Sequence, residues 1–147
     1  PSINATYVLK YDLDDPQAGK VEGAGLRNFN NVGVSNPELR VNLGLNWAMD
    51  AYSANLFVRH ISSYDDDQNV DGTTGNFLEI DSHTTFDAQF NVDLGNIFET
   101  KSDYVLTVGG VNLTDENPPQ LFTNAGFDST VHDPRGRQIY ARLAIQF

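Results

Sequence analysis

The sequence predicts an all-β chain folded as an antiparallel up-and-down meander of six strands. Three observations carry this expectation. Apolar residues recur at every second position almost throughout, with little at the helical period of 3.6. Asn, Asp, Gly and Thr are abundant, and long runs of helix-forming Ala, Leu, Glu and Lys are absent. The links between alternating segments are short and long by turns, as a meander with all its long loops at one end requires.

The first strand is read in INATYVLKYDL, from Ile3 to Leu13. The second, ELRVNLGLNWAM, sets Leu39, Val41, Leu43, Leu45, Trp47 and Met49 on one face and Arg40, Asn42, Gly44 and Asn46 on the other. YSANLFVRHIS alternates less cleanly, with Tyr52, Ala54, Leu56 and Val58 against Asn55, Phe57 and Arg59. TFDAQFNVDLG restores the pattern, with Phe86, Ala88, Phe90, Val92 and Leu94 against Asp87, Gln89, Asn91 and Asp93. In YVLTVGGVNL, Tyr104, Leu106 and Val108 share a face, but Val111 and Leu113 fall out of phase. Glycine inside a strand often marks a bulge, so one is expected at Gly109-Gly110. The final RQIYARLAIQF has Ile139, Ala141, Leu143, Ile145 and Phe147 on one face.

Tight links are expected at Met49-Asp50-Ala51 and from Asn96 to Asp103. Long ones run from about Asp12 to Pro37, Ser63 to Thr84 and Asp115 to Gly136. Loops of that length are uncommon in compact domains and usually functional. Short turns at one end, long loops at the other and strands of about ten residues, apolar outside and polar inside, describe a bacterial outer-membrane barrel. The aromatics Tyr7, Tyr11, Trp47, Tyr52, Tyr64 and Tyr104 then suit its interfacial girdles.

Composition narrows the function. The formal charge is −11, with nine scattered basic residues, which argues against nucleic acid, because phosphate binding needs clustered Lys and Arg. Without cysteine there is neither a disulfide nor a thiolate metal site. No stretch approaches the roughly 20 apolar residues of a transmembrane helix. The chain opens on Pro1 with no signal peptide and no initiating Met, so a processed or partial chain is expected.

Two motifs carry a resemblance. VGGVNLTDENPP resembles the penultimate-strand motif of TonB-dependent outer-membrane receptors, with Asn112, Leu113 and Asp115 in place and Thr114 where phenylalanine is usual. HDPRGRQIYARLAIQF is similar to the closing strand of that family, with Asp133, Pro134, Arg135, Gly136, Arg137 and Phe147 matching. LNW…FVRHISSYDDDQ is a weaker likeness to a late hairpin.

The resemblance implies a 22-stranded transmembrane barrel of which this chain is the last six strands, with the plug, the TonB box and the earlier strands absent. It implies TonB-dependent uptake of a large scarce solute, such as a siderophore or carbohydrate, at the bacterial cell outer membrane. The implied partners are outer-membrane lipid, the rest of the same receptor, the TonB complex through the missing N-terminal part, and an extracellular small-molecule or oligosaccharide substrate. It also implies that Ile139, Ala141, Leu143, Ile145 and Phe147 are the signal read by the barrel-assembly machinery. An edge strand with free backbone groups is suited to such templated pairing.

Other candidates are weaker. Asp67, Asn69, Asp71 and Gly72 match the first half of an EF-hand loop, but loop position 12 is Leu78 and Glu79 comes one residue late. An irregular calcium site with Asp65 and Asp66 nearby, or a solvated acidic loop, are the readings left. His60, His83 and His132 lack ligand spacing. No catalytic constellation stands out, and no enzyme is expected; Asp87, Asp93 and Arg142 read as barrel-interior residues. The sequons at Asn4 and Asn112 fall on predicted strands and are set aside. Phe29, Phe122 and Phe127 lie in long loops and are candidates for substrate contact, or for loop packing. The alternative function is a soluble β-sandwich carbohydrate-binding or adhesin module, which would bury its apolar faces against each other. A small complete barrel would need at least eight strands.

Overall fold

A computed structural model describes residues 1–17, 19–27, 35–99 and 103–146. Six strands form one antiparallel sheet in which each pairs with the next in the chain. They are β1 (Ser2–Tyr7), β5 (Leu39–Met49), β6 (Tyr52–Ile61), β9 (His83–Asp93), β10 (Asp103–Val111) and β11 (Gln138–Gln146). The excursions between them carry β2 (Asp12–Asp15), β3 (Gly19–Glu22), β4 (Leu26–Arg27), β7 (Tyr64–Val70) and β8 (Phe77–Ile80). The six-stranded meander expected from the alternation is therefore present.

The links differ as the spacing implied. Asp50, in the left-handed region at φ 50°, turns β5 into β6 within two residues, a conformation Asp tolerates better than most. One turn of helix, α1 (Leu94–Ile97), follows β9, with the Asp93 carboxylate accepting from the Asn96 backbone N–H. The long excursions are partly strand. β2 pairs with β3, β7 pairs with β8, and β4 runs parallel to β7 through Leu26↔Asp65 and Arg27↔Asp66.

Two expectations are corrected. The first strand ends at Tyr7 instead of continuing to Leu13. Asp12 is drawn into the β2–β3 hairpin by ion pairs with Lys10 at 2.9 Å and Lys20 at 2.7 Å. No bulge occurs at Gly109-Gly110, for β10 pairs with β11 without a break from Asp103↔Gln146 to Val111↔Gln138. The change of face happens two residues later, just past the end of β10, where Asn112 adopts φ 50° and swings Leu113 back over Gly110. The glycines serve the next strand. A Cβ at Gly109 would sit 2.6 Å from the Tyr140 ring, and one at Gly110 would sit 2.8 Å from Ile139 Cδ1.

The buried apolar core is small and lies outside the sheet. Tyr64, Ile80 and Leu121, with Val131 against them, gather where the long excursions meet. Tyr64 is thus buried in the excursions and does not join an aromatic girdle.

Candidate functional site

Pairing register sorts the sheet into two faces, because side chains alternate along each strand. One face carries Ile3; Leu43, Leu45, Trp47 and Met49; Tyr52 and Leu56; Phe86 and Phe90; Val108; and Ile139, Leu143 and Ile145. Every one of these is more than a third exposed, Leu45 at 52% and Leu143 at 55% among them. Monomeric soluble proteins rarely expose contiguous apolar patches beyond a few hundred Å². Among the described residues no second sheet or helix covers this face. Tyr52 stacks on Phe90 at 6.1 Å beside Trp47, near the short-turn end. At the long-loop end the face turns polar, with His60 Nδ1 2.8 Å from Thr84 Oγ1.

The other face is a hydrogen-bonded lattice. Tyr140 donates to Gln89 across Gly109 at 3.0 Å, and Gln89 donates to Asn91 Oδ1 at 2.9 Å. Thr107 donates to the same oxygen at 2.8 Å, while Asn91 donates to Ser53 at 3.0 Å. The chain of contacts crosses β6, β9, β10 and β11. Nearer the long loops Arg59 pairs with Asp87 at 2.6 Å, and Asp87 also accepts from the Asn112 backbone N–H at 2.9 Å. Of the polar residues expected inside a barrel, Asp87 is held in this lattice and Asp93 caps α1.

The two sequence motifs are clasped together at the ends of β10 and β11. The Asn112 side chain accepts from Glu116 N–H at 2.9 Å and donates to the Glu116 and Arg135 carbonyls. Asp115 accepts from the Arg137 backbone N–H at 2.7 Å, and Arg137 donates back to the Leu113 carbonyl at 3.3 Å. A Cβ at Gly136 would fall 2.9 Å from Asp115 Oδ1. These contacts give the residue types of both motifs a structural role.

The excursions meet in a polar cluster that the sequence did not reveal. Asp128 accepts from Ser35 at 2.5 Å, Tyr64 at 3.0 Å and Thr130 at 2.7 Å. Burial raises the Asp128 pKa, but these donors outweigh it and leave the carboxyl below its usual value. Tyr64 is pushed up by burial and by Asp128. His132 Nε2 lies 3.2 Å from the Tyr64 hydroxyl, and the His83 and His132 rings meet edge to face with centroids 5.1 Å apart. Burial, then His83, lowers the His132 pKa to about 4. Below, Asp66 is fully buried and pairs with Arg27 at 2.8 Å while accepting from Asn69 at 2.6 Å.

The predicted site residues fall in different places. Ile139, Ala141, Leu143 and Ile145 occupy the exposed apolar face of β11; Phe147 and Phe29 lie outside the described residues. Phe122 is 81% exposed and Phe127 half-buried. Asp67, Asn69 and Asp71 are not brought together as a ligand set. Asn69 is bonded to Asp66, and Asp71 accepts from the Thr73 and Thr74 N–H groups at 2.7 and 2.8 Å. No group of three or more His, Asp or Glu is placed to hold a metal among the described residues. His60 stays apart, but His83, at the start of β9, and His132, in the last long excursion, are joined. Their juxtaposition depends on strand register and carries no local sequence signal.

Comparison with known protein families, with curated proteins and with solved structures finds no match for this chain.

Proposed function

We propose that this chain is a wall segment of an outer-membrane β-barrel of the TonB-dependent receptor type, its apolar face against lipid and its polar face toward the barrel interior. The observation that carries the reading is the uncovered apolar face running across all six strands. On β5 it extends from Leu39 to Met49, about 34 Å along the strand at about 3.4 Å per residue. Tilted by about 40°, such a strand covers about 26 Å, close to the apolar band of about 25 Å in outer-membrane barrels. A lipid setting removes the penalty of about 25 cal/mol per Å² that this surface carries in water. Ser53, Gln89, Asn91, Thr107 and Tyr140 on the opposite face bond to one another, and a wet or plugged interior solvates the exposed Asn42 and Asn46 and the half-buried Asn55. β1 and β11 are sheet edges, and in this reading further strands pair with both.

In this role the segment supplies wall, long extracellular loops and, through Ile139, Ala141, Leu143 and Ile145 on β11 together with the terminal Phe147, the signal offered to the assembly machinery. Uptake of a large solute, driven by TonB, belongs to the whole receptor. The decisive experiment is fractionation of the native polypeptide, with mass and electrophoretic mobility measured before and after heating. A chain well above 16.2 kDa, extracted only by detergent and shifted by heating, supports the proposal. A water-soluble 16.2 kDa monomer overturns it and leaves a soluble sandwich module.

A further inference from the structure

We propose that His83 and His132 form a two-imidazole site for a divalent transition-metal ion, open on one side to the cavity between the polar sheet face and the last long loop. Both rings are more than nine-tenths buried, at 8% and 5% exposure. His83 Nε2 and His132 Nδ1 are buried without a hydrogen-bond partner among the described residues. Orphaned buried polar atoms are uncommon and costly. Two belonging to the same residue type, on touching rings, point to a shared occupant.

The geometry suits such an ion. With metal–nitrogen bonds of about 2.0–2.1 Å, two imidazoles on one tetrahedral ion hold their ring centroids about 5 Å apart. The observed separation is 5.1 Å with the ring planes at 84°; edge-to-face contact gives the same spacing, so it is the two orphaned nitrogens that single out an ion. The hydrogen-bond network also prepares His132. Tyr64 donates to Asp128 at 3.0 Å, so its oxygen is left to accept from His132 Nε2–H at 3.2 Å. That assignment puts the proton on Nε2 and leaves the Nδ1 lone pair bare. A ligating histidine whose other nitrogen donates outward is the usual arrangement around protein-bound metals. Tyr64 is therefore a positioning residue, and Asp128 positions Tyr64.

Imidazole pairs favour Zn²⁺, Ni²⁺ and Cu²⁺ over calcium or magnesium, which prefer oxygen. Both histidines line a cavity of about 440 Å³, together with Arg59, Asp87, Asp133 and Arg135. Its guanidiniums are offset by carboxylates, for Arg59 pairs with Asp87 and Arg135 with Asp133. Two protein ligands leave coordination positions to be filled from the cavity, by water or by a chelating small molecule. The site is independent of the barrel proposal, since it rests on contacts of His83 and His132 on the polar side of the sheet and not on what covers the apolar face.

The test uses the full polypeptide containing these residues, purified in detergent, with Co²⁺ as a spectroscopic probe and Zn²⁺ as the calorimetric titrant. Expected are visible cobalt absorption bands displaced by zinc and saturable zinc binding. His83→Gln and His132→Gln should each weaken that binding at least tenfold, and Tyr64→Phe by about ten- to a hundredfold. Unchanged zinc affinity in the double histidine variant overturns the site, as does absence of zinc binding by the folded wild type. The latter outcome would mean that His83 merely points its N–H at the His132 ring. If the variants do not fold, zinc-edge anomalous density in wild-type crystals decides, supporting the site if it lies between the two rings and overturning it otherwise. A protein that is membrane-embedded yet binds no zinc here refutes this inference without touching the barrel reading.

Discussion

At the scale of single residues, positions chosen for shape explain what the alternation pattern could not. Gly109 lies opposite Tyr140 in β11 and Gln89 in β9, and the tyrosine ring crosses it to reach the glutamine. Gly109→Ala would push a methyl to 2.6 Å from that ring and 3.0 Å from the Ala88 carbonyl. A destabilisation of about 1–3 kcal/mol is expected, whereas Tyr140→Phe should cost about 1 kcal/mol or less. Denaturant titration of the purified protein ranks the two, and equal effects would show that the ring does not depend on the glycine. Asn112 offers a second case, with φ 50° and a side chain bridging Glu116 and Arg135. Asn112→Ala loses both backbone fit and bridge and should cost about 2–4 kcal/mol, with Asn112→Gly recovering only the backbone part. If the glycine variant matches wild type, the bridge contributes nothing. The Gly-Gly pair was legible as an irregularity, but its cause sits on another strand. No reading of local periodicity contains that partner.

At the scale of elements, five of the six main strands lie where the alternation placed them, because a face that is consistently apolar fixes register. The exception, β1, stops at Tyr7 because Lys10, Asp12 and Lys20 favour a local hairpin. The β7–β8 hairpin was not legible: its strands read YDDDQNV and FLEI, and only the second is apolar. What the apolar face touches is testable on adjacent residues of β5. Leu45 and Asn46 point to opposite faces and are both exposed. In water, Leu45→Arg and Asn46→Arg should each lie within about 0.5 kcal/mol of wild type. Against lipid the two separate, for arginine near the bilayer midplane costs about 2–4 kcal/mol while interior positions tolerate it. Reversible unfolding from lipid vesicles measures the difference. A penalty for Leu45→Arg alone supports the wall proposal, and two neutral variants would argue for a soluble sheet.

At the scale of the whole molecule, the sheet holds itself together by pairing, and all three long excursions meet at the Asp128 cluster, beside the β4–β7 pairing and the Arg27–Asp66 ion pair. Ser35, Tyr64 and Asp128 come from three different excursions and meet at a single carboxylate. The sequence showed three long loops but not their joining, since the contacts span up to 93 residues. That joining is sensitive to acid. His132 titrates at about 4 in the closed cluster against an ordinary 6.5, first because it is buried and then because His83 is beside it. Between those values the opened form takes up a proton that the closed form refuses. The closed form is therefore fully favoured above pH 6.5 and progressively less so down to about pH 4, by about 1–3 kcal/mol in all. Asp128 acts in the same direction at lower pH, because its depressed pKa favours the closed form until the carboxylate itself protonates. The Leu121, Thr123 and Gly126 amides are bonded within the last excursion and report on its opening. In metal-free protein their exchange protection factors should fall between pH 7 and pH 5, while those of β6 and β9 hold. His132→Phe, which has no proton to take up, should flatten the fall. Loop and strand amides losing protection in parallel would mean that the sheet yields to acid together with the cluster, and that the excursions do not open as a separate unit.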